Sequence, residues 1–197
     1  MTSRSTQDAP VRSARMELLL GSALTVASEQ GLRGLTHRAV DREAGLPEGS
    51  CSAYLRTREA LVLGLAEYVA DRMADHVRAM ADELAGCPLD DDQAYATVTR
   101  SVLGWLDERD LIVALLELTI QASRDPALAE SLGAHRRVLA EVVGGMLTAR
   151  GKPHGGAAAE TLVASFDGVL IAALPRPAAE RTAFVRRSVE ALMAGLG

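Results

Sequence analysis

Between Gly34 and Leu55 the sequence reads GLTHRAVDREAGLPEGSCSAYL, and hydrogen-bonding and cationic side chains crowd into it. Thr36, His37, Arg38, Ser50, Ser52 and Tyr54 fall in two short segments separated by Ala44-Gly45-Leu46-Pro47. Hydroxyls and guanidinium groups carried on short helices suit phosphate oxygens and the edges of bases. Thr36 heads the first segment, where its hydroxyl and the free backbone N–H groups can bind a phosphate or simply cap the helix. His37 and Arg38 follow on the exposed start of that helix, facing either DNA or solvent. Pro47 suits the first turn of the second helix, because its missing N–H has no helical partner there. Glu48 in the same turn either complements the helix dipole or accepts from a cytosine amine. Ser50, Ser52 and Tyr54 project outward as donors and acceptors, and Cys51 between them reads as a small core plug rather than a redox switch.

The rest of the chain excludes several other chemistries. Gly-x-Ser-x-Gly, Gly-x-Gly-x-x-Gly and P-loop patterns are absent, which argues against an enzyme. His37, His76, His135 and His154 are scattered without metal-ligand spacing, so no metal or cofactor is expected. Cys51 and Cys87 show no pairing pattern and suit a reducing compartment. The segment LIVALLELTI is too short to span a bilayer and carries Glu117, and MTSRSTQDAP lacks a signal-like apolar run. These features lead to the expectation of a soluble cytoplasmic protein with no membrane partner.

Charge is unevenly distributed. Residues 1–60 hold eight Arg and seven Asp plus Glu (+1); the remainder holds 13 basic and 19 acidic residues (−6), which together give the net −5. Such a chain is not a nonspecific coat for nucleic acid, yet it permits a small basic reading head.

The elements that must position the polar run are helices. Hydrophobic residues make up 48% of the chain and aromatic residues only 3%, so Ala, Leu and Val do the packing. Met16, Leu20, Ala23, Leu24 and Ala27 mark an apolar stripe over 11–30, stopped by Gly31. Thr36 starts a short helix that ends at Gly45, and the next runs from Pro47 to about Tyr54. Thr57 caps a long helix with Leu61, Leu65, Tyr68, Val69, Met73, Val77, Met80 and Leu84 as its stripe. Asp90 with Gln93 forms a capping box, Asp110 starts a further helix, and Asp125-Pro126 starts one reaching about Arg150. Two more follow the GKPHGG loop. The expected fold is all-α with nine or ten helices: an N-terminal three-helix helix-turn-helix unit, then a C-terminal helical unit. The expected divisions are an arm over 1–10, the helix-turn-helix over 11–56 and a body over 57–197.

Over roughly Arg12–Tyr68 the sequence resembles the DNA-binding end of the TetR-like transcriptional regulators. Gly34, Thr36, Val40, Ala44, Gly45, Leu46, Pro47, Gly49, Ser50, Tyr54, Arg58, Glu59 and Leu61 stand at that family's spacings. Asp41, Ser52 and Leu55 depart from it, where Ala, an aromatic and Phe are usual; the change at Ser52 removes a customary phosphate contact. The resemblance implies a ligand-responsive repressor that binds a palindromic operator in double-stranded DNA as a homodimer. It assigns Arg56 and Arg58 to backbone phosphate, with Arg4, Arg12 and Arg15 as further candidates, and puts the dimer seam in the helices over 127–150 and 160–174. It also implies a small-molecule effector, largely apolar, held inside the body. Met73, His76, Val77, Met80, Tyr95, Trp105, Glu117, Gln121 and Phe166 are the candidates to line that site, each with ordinary core packing as the alternative. The rival readings are a helical interaction or small-molecule-binding protein without DNA binding, or an enzyme.

Overall fold

The computed structural model describes residues 12–85, 91–149, 151 and 156–195, and among them it is all-α with nine helices. The first, α1 (Ala14–Gly34), begins where the Ser13 hydroxyl accepts from the Met16 N–H at 3.3 Å. Gly31 was expected to stop it. The chain does leave helical geometry there, with φ 66° and ψ 175°, but it resumes a last helical turn to Gly34. That left-handed residue bends α1 without ending it.

Thr36 caps α2 (His37–Glu43) as expected, its hydroxyl accepting from the Ala39 N–H at 3.2 Å. Gly45, at φ 66°, turns the chain. The second helix of the motif, α3 (Ser50–Tyr54), is shorter than the sequence implied. Gly49 takes φ 94°, a value no helix interior accommodates, so Pro47 and Glu48 fall in a turn ahead of the helix rather than in its first turn. The Pro47 carbonyl closes that turn by accepting from the Ser50 N–H at 3.2 Å.

Thr57 caps α4 (Arg58–Ala85) by accepting from the Ala60 N–H at 3.0 Å. All eight residues of its anticipated stripe are buried, and Leu61 and Leu65 are fully so. Each such leucine contributes about 1.5–3 kcal/mol by leaving water. Then come α5 (Asp91–Asp107) and α6 (Arg109–Ala122). The capping box centred on Asp90 and the arm over 1–10 lie outside the described residues. Glu108, not Asp110, occupies the cap position of α6, and its carboxylate is engaged elsewhere. Asp125 caps α7 (Pro126–Ala149) as expected, accepting from the Leu128 N–H at 3.2 Å. The last two are α8 (Gly156–Ala173) and α9 (Ala178–Ala194).

One continuous apolar cluster runs through all nine helices. Within it α1 packs on α6, α4 lies chiefly along α7, α8 against α7, and α9 against α5. The long α4 therefore reaches from the polar run at its N-terminus into the middle of the body. Among the described residues no helix is long and apolar enough to cross a membrane.

Candidate nucleic-acid interface and ligand cavity

The second helix of the motif has only five residues and no side-chain cap of its own. It is held from across the turn. Asp41 on α2, 1% exposed, points its carboxylate at the start of α3 and accepts from the Gly49 N–H at 2.8 Å and the Cys51 N–H at 2.7 Å. Its own carbonyl accepts from the Leu46 N–H at 2.8 Å. A buried charge is tolerated where several N–H groups converge on it, and here those donors are the otherwise unpaired ones of a helix start. Sequence reasoning noticed Asp41 only as a departure and missed this role.

Cys51 sits directly behind, fully buried. Burial, and then the nearby Asp41 charge, push its thiol up to about 11. The thiolate is the reactive species, so Cys51 should resist iodoacetamide near neutral pH in the folded protein and label only once the head opens. Mass spectrometry of the Cys51 peptide at rising denaturant checks this; prompt labelling in native buffer would contradict the packing.

With α3 fixed in this way, Tyr54 stands 49% exposed at its end and Ser52 is half-exposed beside it, the Ser52 hydroxyl donating to the Gly49 carbonyl at 3.1 Å. Ser50 is half-buried, and its hydroxyl accepts from Arg15 at 3.4 Å. Pro47, Glu48 and Arg56 are exposed. Arg38 on α2 is 82% exposed and faces Glu48 at 3.7 Å, a loose pair of little energetic weight. Thr36 is exposed, with its hydroxyl occupied as a cap.

Two further residues from the run have internal partners. His37 was placed on the outer face of α2, but its Nε2 lies 2.5 Å from the Leu55 carbonyl, tying α2 to the end of α3. Arg58 donates to the Leu35 and Leu32 carbonyls, both at 2.6 Å. Those oxygens end α1, so the first residue of α4 clasps the end of the first helix.

Glu117 approaches the same joint from the body. It was expected in the ligand site, but its carboxylate turns to α1 and accepts from the Leu32 N–H at 3.3 Å. A Cβ on Gly31 would lie 3.3 Å from that carboxylate, so both φ and space require glycine there. The joint between the polar run and the body thus consists of Gly31, with Glu117 on the N–H side and Arg58 on the carbonyl side. Nearby, Arg12 donates to Asp71 at 2.6 Å and lies over the Tyr68 ring.

A cavity of about 780 Å³, its mouth included, opens between α4, α5, α7, α8 and α9. Met73, Val77, Met80, Trp105 and Phe166 line it, as the sequence suggested. His76, Tyr95, Glu117 and Gln121 do not. His76 lies one residue from Val77 on α4, a step of about 100° around a helix, and so looks away from the cavity. It stacks behind Trp105 with ring centroids 6.0 Å apart and planes 4° apart, and its Nε2 meets Glu108 at 2.8 Å. Tyr95 packs against the core elsewhere on α5, and Gln121 follows Glu117 by one helical turn on α6.

Glu108 also accepts from Arg72 at 2.5 Å. Burial opposes its charge, but the Arg72 bond and the His76 and Arg72 charges outweigh that and hold its carboxyl below the ordinary value. The one charged residue on the cavity wall is Asp167, which sequence reasoning passed over. Its other side pairs with Arg136 of α7. Burial raises its carboxyl above the ordinary value, and Arg136 offsets this only in part. Among the described residues no cluster of three or more potential ligands could hold a metal ion.

Residues 89–196 match the tetracyclin repressor-like C-terminal domain family. The chain is also similar to several solved structures. A transcriptional regulator from Rhodococcus sp. Rha1 is 20% identical, with a TM-score of 0.76 over 93% of this chain and 96% of that one. A TetR-family member from Streptomyces coelicolor A3 is 26% identical, with a TM-score of 0.70 over 91% and 98%. The multidrug binding protein EbrR complexed with ethidium is 26% identical, with a TM-score of 0.67 over 92% and 99%. No curated protein matches the chain.

Proposed function

This chain belongs to the tetracyclin repressor-like family of transcriptional regulators, proteins that are not enzymes, and we propose that it is a ligand-responsive repressor binding a palindromic operator as a homodimer. The observation that carries the reading is α3, a five-residue helix set by the buried Asp41 carboxylate, with Ser52 and Tyr54 on its open side and Arg56 just beyond. Such a helix can enter a major groove and offer its outer side chains to base edges. Arg38, Arg56 and the unbonded part of Arg58 would meet backbone phosphate, along with the Thr36 end of α2.

One head of this size gives too little contact for operator affinity, whereas two heads about 34–36 Å apart fit successive major grooves. The seam proposed for that pairing is α7 with α8. Val138 and Ile171 are exposed there, and the space beyond Gly145 and Gly168 is open, leaving room for a partner helix to approach closely.

For the sensor, the ligand site is the cavity behind α4. EbrR, a relative similar over nearly the whole chain, binds ethidium. An occupant that prefers a wider cavity would shift α4, and with it the Arg58 clasp on α1, so the spacing of the two heads would change. Operator affinity falls by the ligand's preference for that shape and by no more.

Selection from random duplexes with the purified chain tests the DNA-binding half. The expected product is an inverted repeat whose binding loses about a thousandfold between roughly 50 and 200 mM salt, as for six or more phosphate contacts. Recovery of no common sequence would overturn it.

A further inference from the structure

We propose that the cavity takes a lipophilic aromatic monocation whose charge is met by the Asp167 carboxylate, with Arg136 as the internal counter-ion that the ligand releases. The inference rests on the ligand-responsive reading above and adds the ligand's charge and shape. Asp167 interrupts a wall that is otherwise apolar. A site for a neutral hydrocarbon has no use for a carboxylate, whose burial is unfavourable unless a cation accompanies it.

In this structure the accompanying cation comes from outside. Arg136 bonds Asp167 from the groove side, does not itself line the cavity and is 43% exposed. A ligand cation on the inner side can replace it, and the guanidinium can swing into water at little cost. Burial also holds the carboxyl above its ordinary value, so a closer cation is stabilising there.

The remaining wall fits the rest of such a ligand. Trp105 and Phe166 offer aromatic faces, to which a delocalised cation is attracted. Four of the chain's six methionines (Met73, Met80, Met146 and Met193) line the cavity. Their unbranched, polarizable side chains adapt to flat rings of differing outline.

Three probes of one ring shape separate charge from shape: N-methylacridinium, acridine at mildly alkaline pH where it is neutral, and acridine-9-carboxylate. Binding to the full-length chain is read by calorimetry and by quenching of Trp105, the chain's only tryptophan. The expected order is cation over neutral ring by about tenfold or more, with the anion weakest. Asp167→Asn should abolish the preference and leave acridine binding within about threefold, while Arg136→Gln should strengthen cation binding several-fold by removing the competitor. Helicity and unfolding midpoint, measured for both variants, show that each is folded. The proposal is overturned by a cation preference that survives Asp167→Asn, by weaker cation binding in Arg136→Gln, or by the anion binding best. If all three rings bind equally, the role of the carboxylate fails and the ligand cavity stands; if none binds, both fail.

Discussion

Asp41→Ala is expected to lower the unfolding midpoint by about 6–12 °C, from the loss of about 3 kcal/mol in two charge-assisted bonds. Operator affinity should fall further than this loss of fold alone would suggest. The Gly49 and Cys51 N–H groups converge on one buried carboxylate, so alanine leaves both donors without a partner and α3 without a cap. When the competent helix is only fractionally formed, apparent affinity drops by that fraction. Asp41→Asn should lie between, because an amide presents one acceptor oxygen where two donors meet. Calorimetric unfolding with operator titration checks both parts. An alanine variant that melts and binds like the parent would mean that α3 is held by something else.

Arg58→Ala is the second large effect. The resemblance assigns Arg58 to phosphate, from which loss of DNA binding with little loss of folding follows. The structure predicts both losses, because the guanidinium bonds the Leu32 and Leu35 carbonyls at 2.6 Å and Leu35 is fully buried. Leaving two such oxygens unpaired costs about 2–3 kcal/mol. Arg58→Lys should rescue only part, since an ammonium is a point charge and cannot fork rigidly to two carbonyls. Unfolding midpoints for both variants beside the parent decide this; a lysine variant as stable as the parent would mean that the clasp is unimportant.

The sequence was most legible where a signal is local. Thr36, Thr57 and Asp125 cap helices because a hydroxyl or carboxylate three residues before an N–H needs nothing else, and Gly45 marks the turn because few residues adopt its φ. The stripe on α4 was equally legible, since burial follows a fixed helical period. What stayed hidden depends on contacts across the chain. Asp41 resembles any polar residue on a helix until α3 folds back against it. Glu117 and Arg58 meet α1 at residues 85 and 26 positions away, distances over which no periodicity speaks. Val77 and His76 were grouped together although one lines the cavity and the other backs Trp105, because the sequence alone does not fix which side of α4 faces α7. Asp167 was overlooked beside Phe166 for the same reason.

Two reading heads carried by one paired body make a definite stoichiometric claim. Sedimentation of the purified chain with its selected inverted repeat, with a single half-site and with shuffled duplex examines it directly. The expected result is a dimer without DNA, two chains on the full repeat, and at least about a hundredfold weaker binding to the half-site and the shuffled duplex. A chain that stays monomeric, or binds all three duplexes alike, would contradict it.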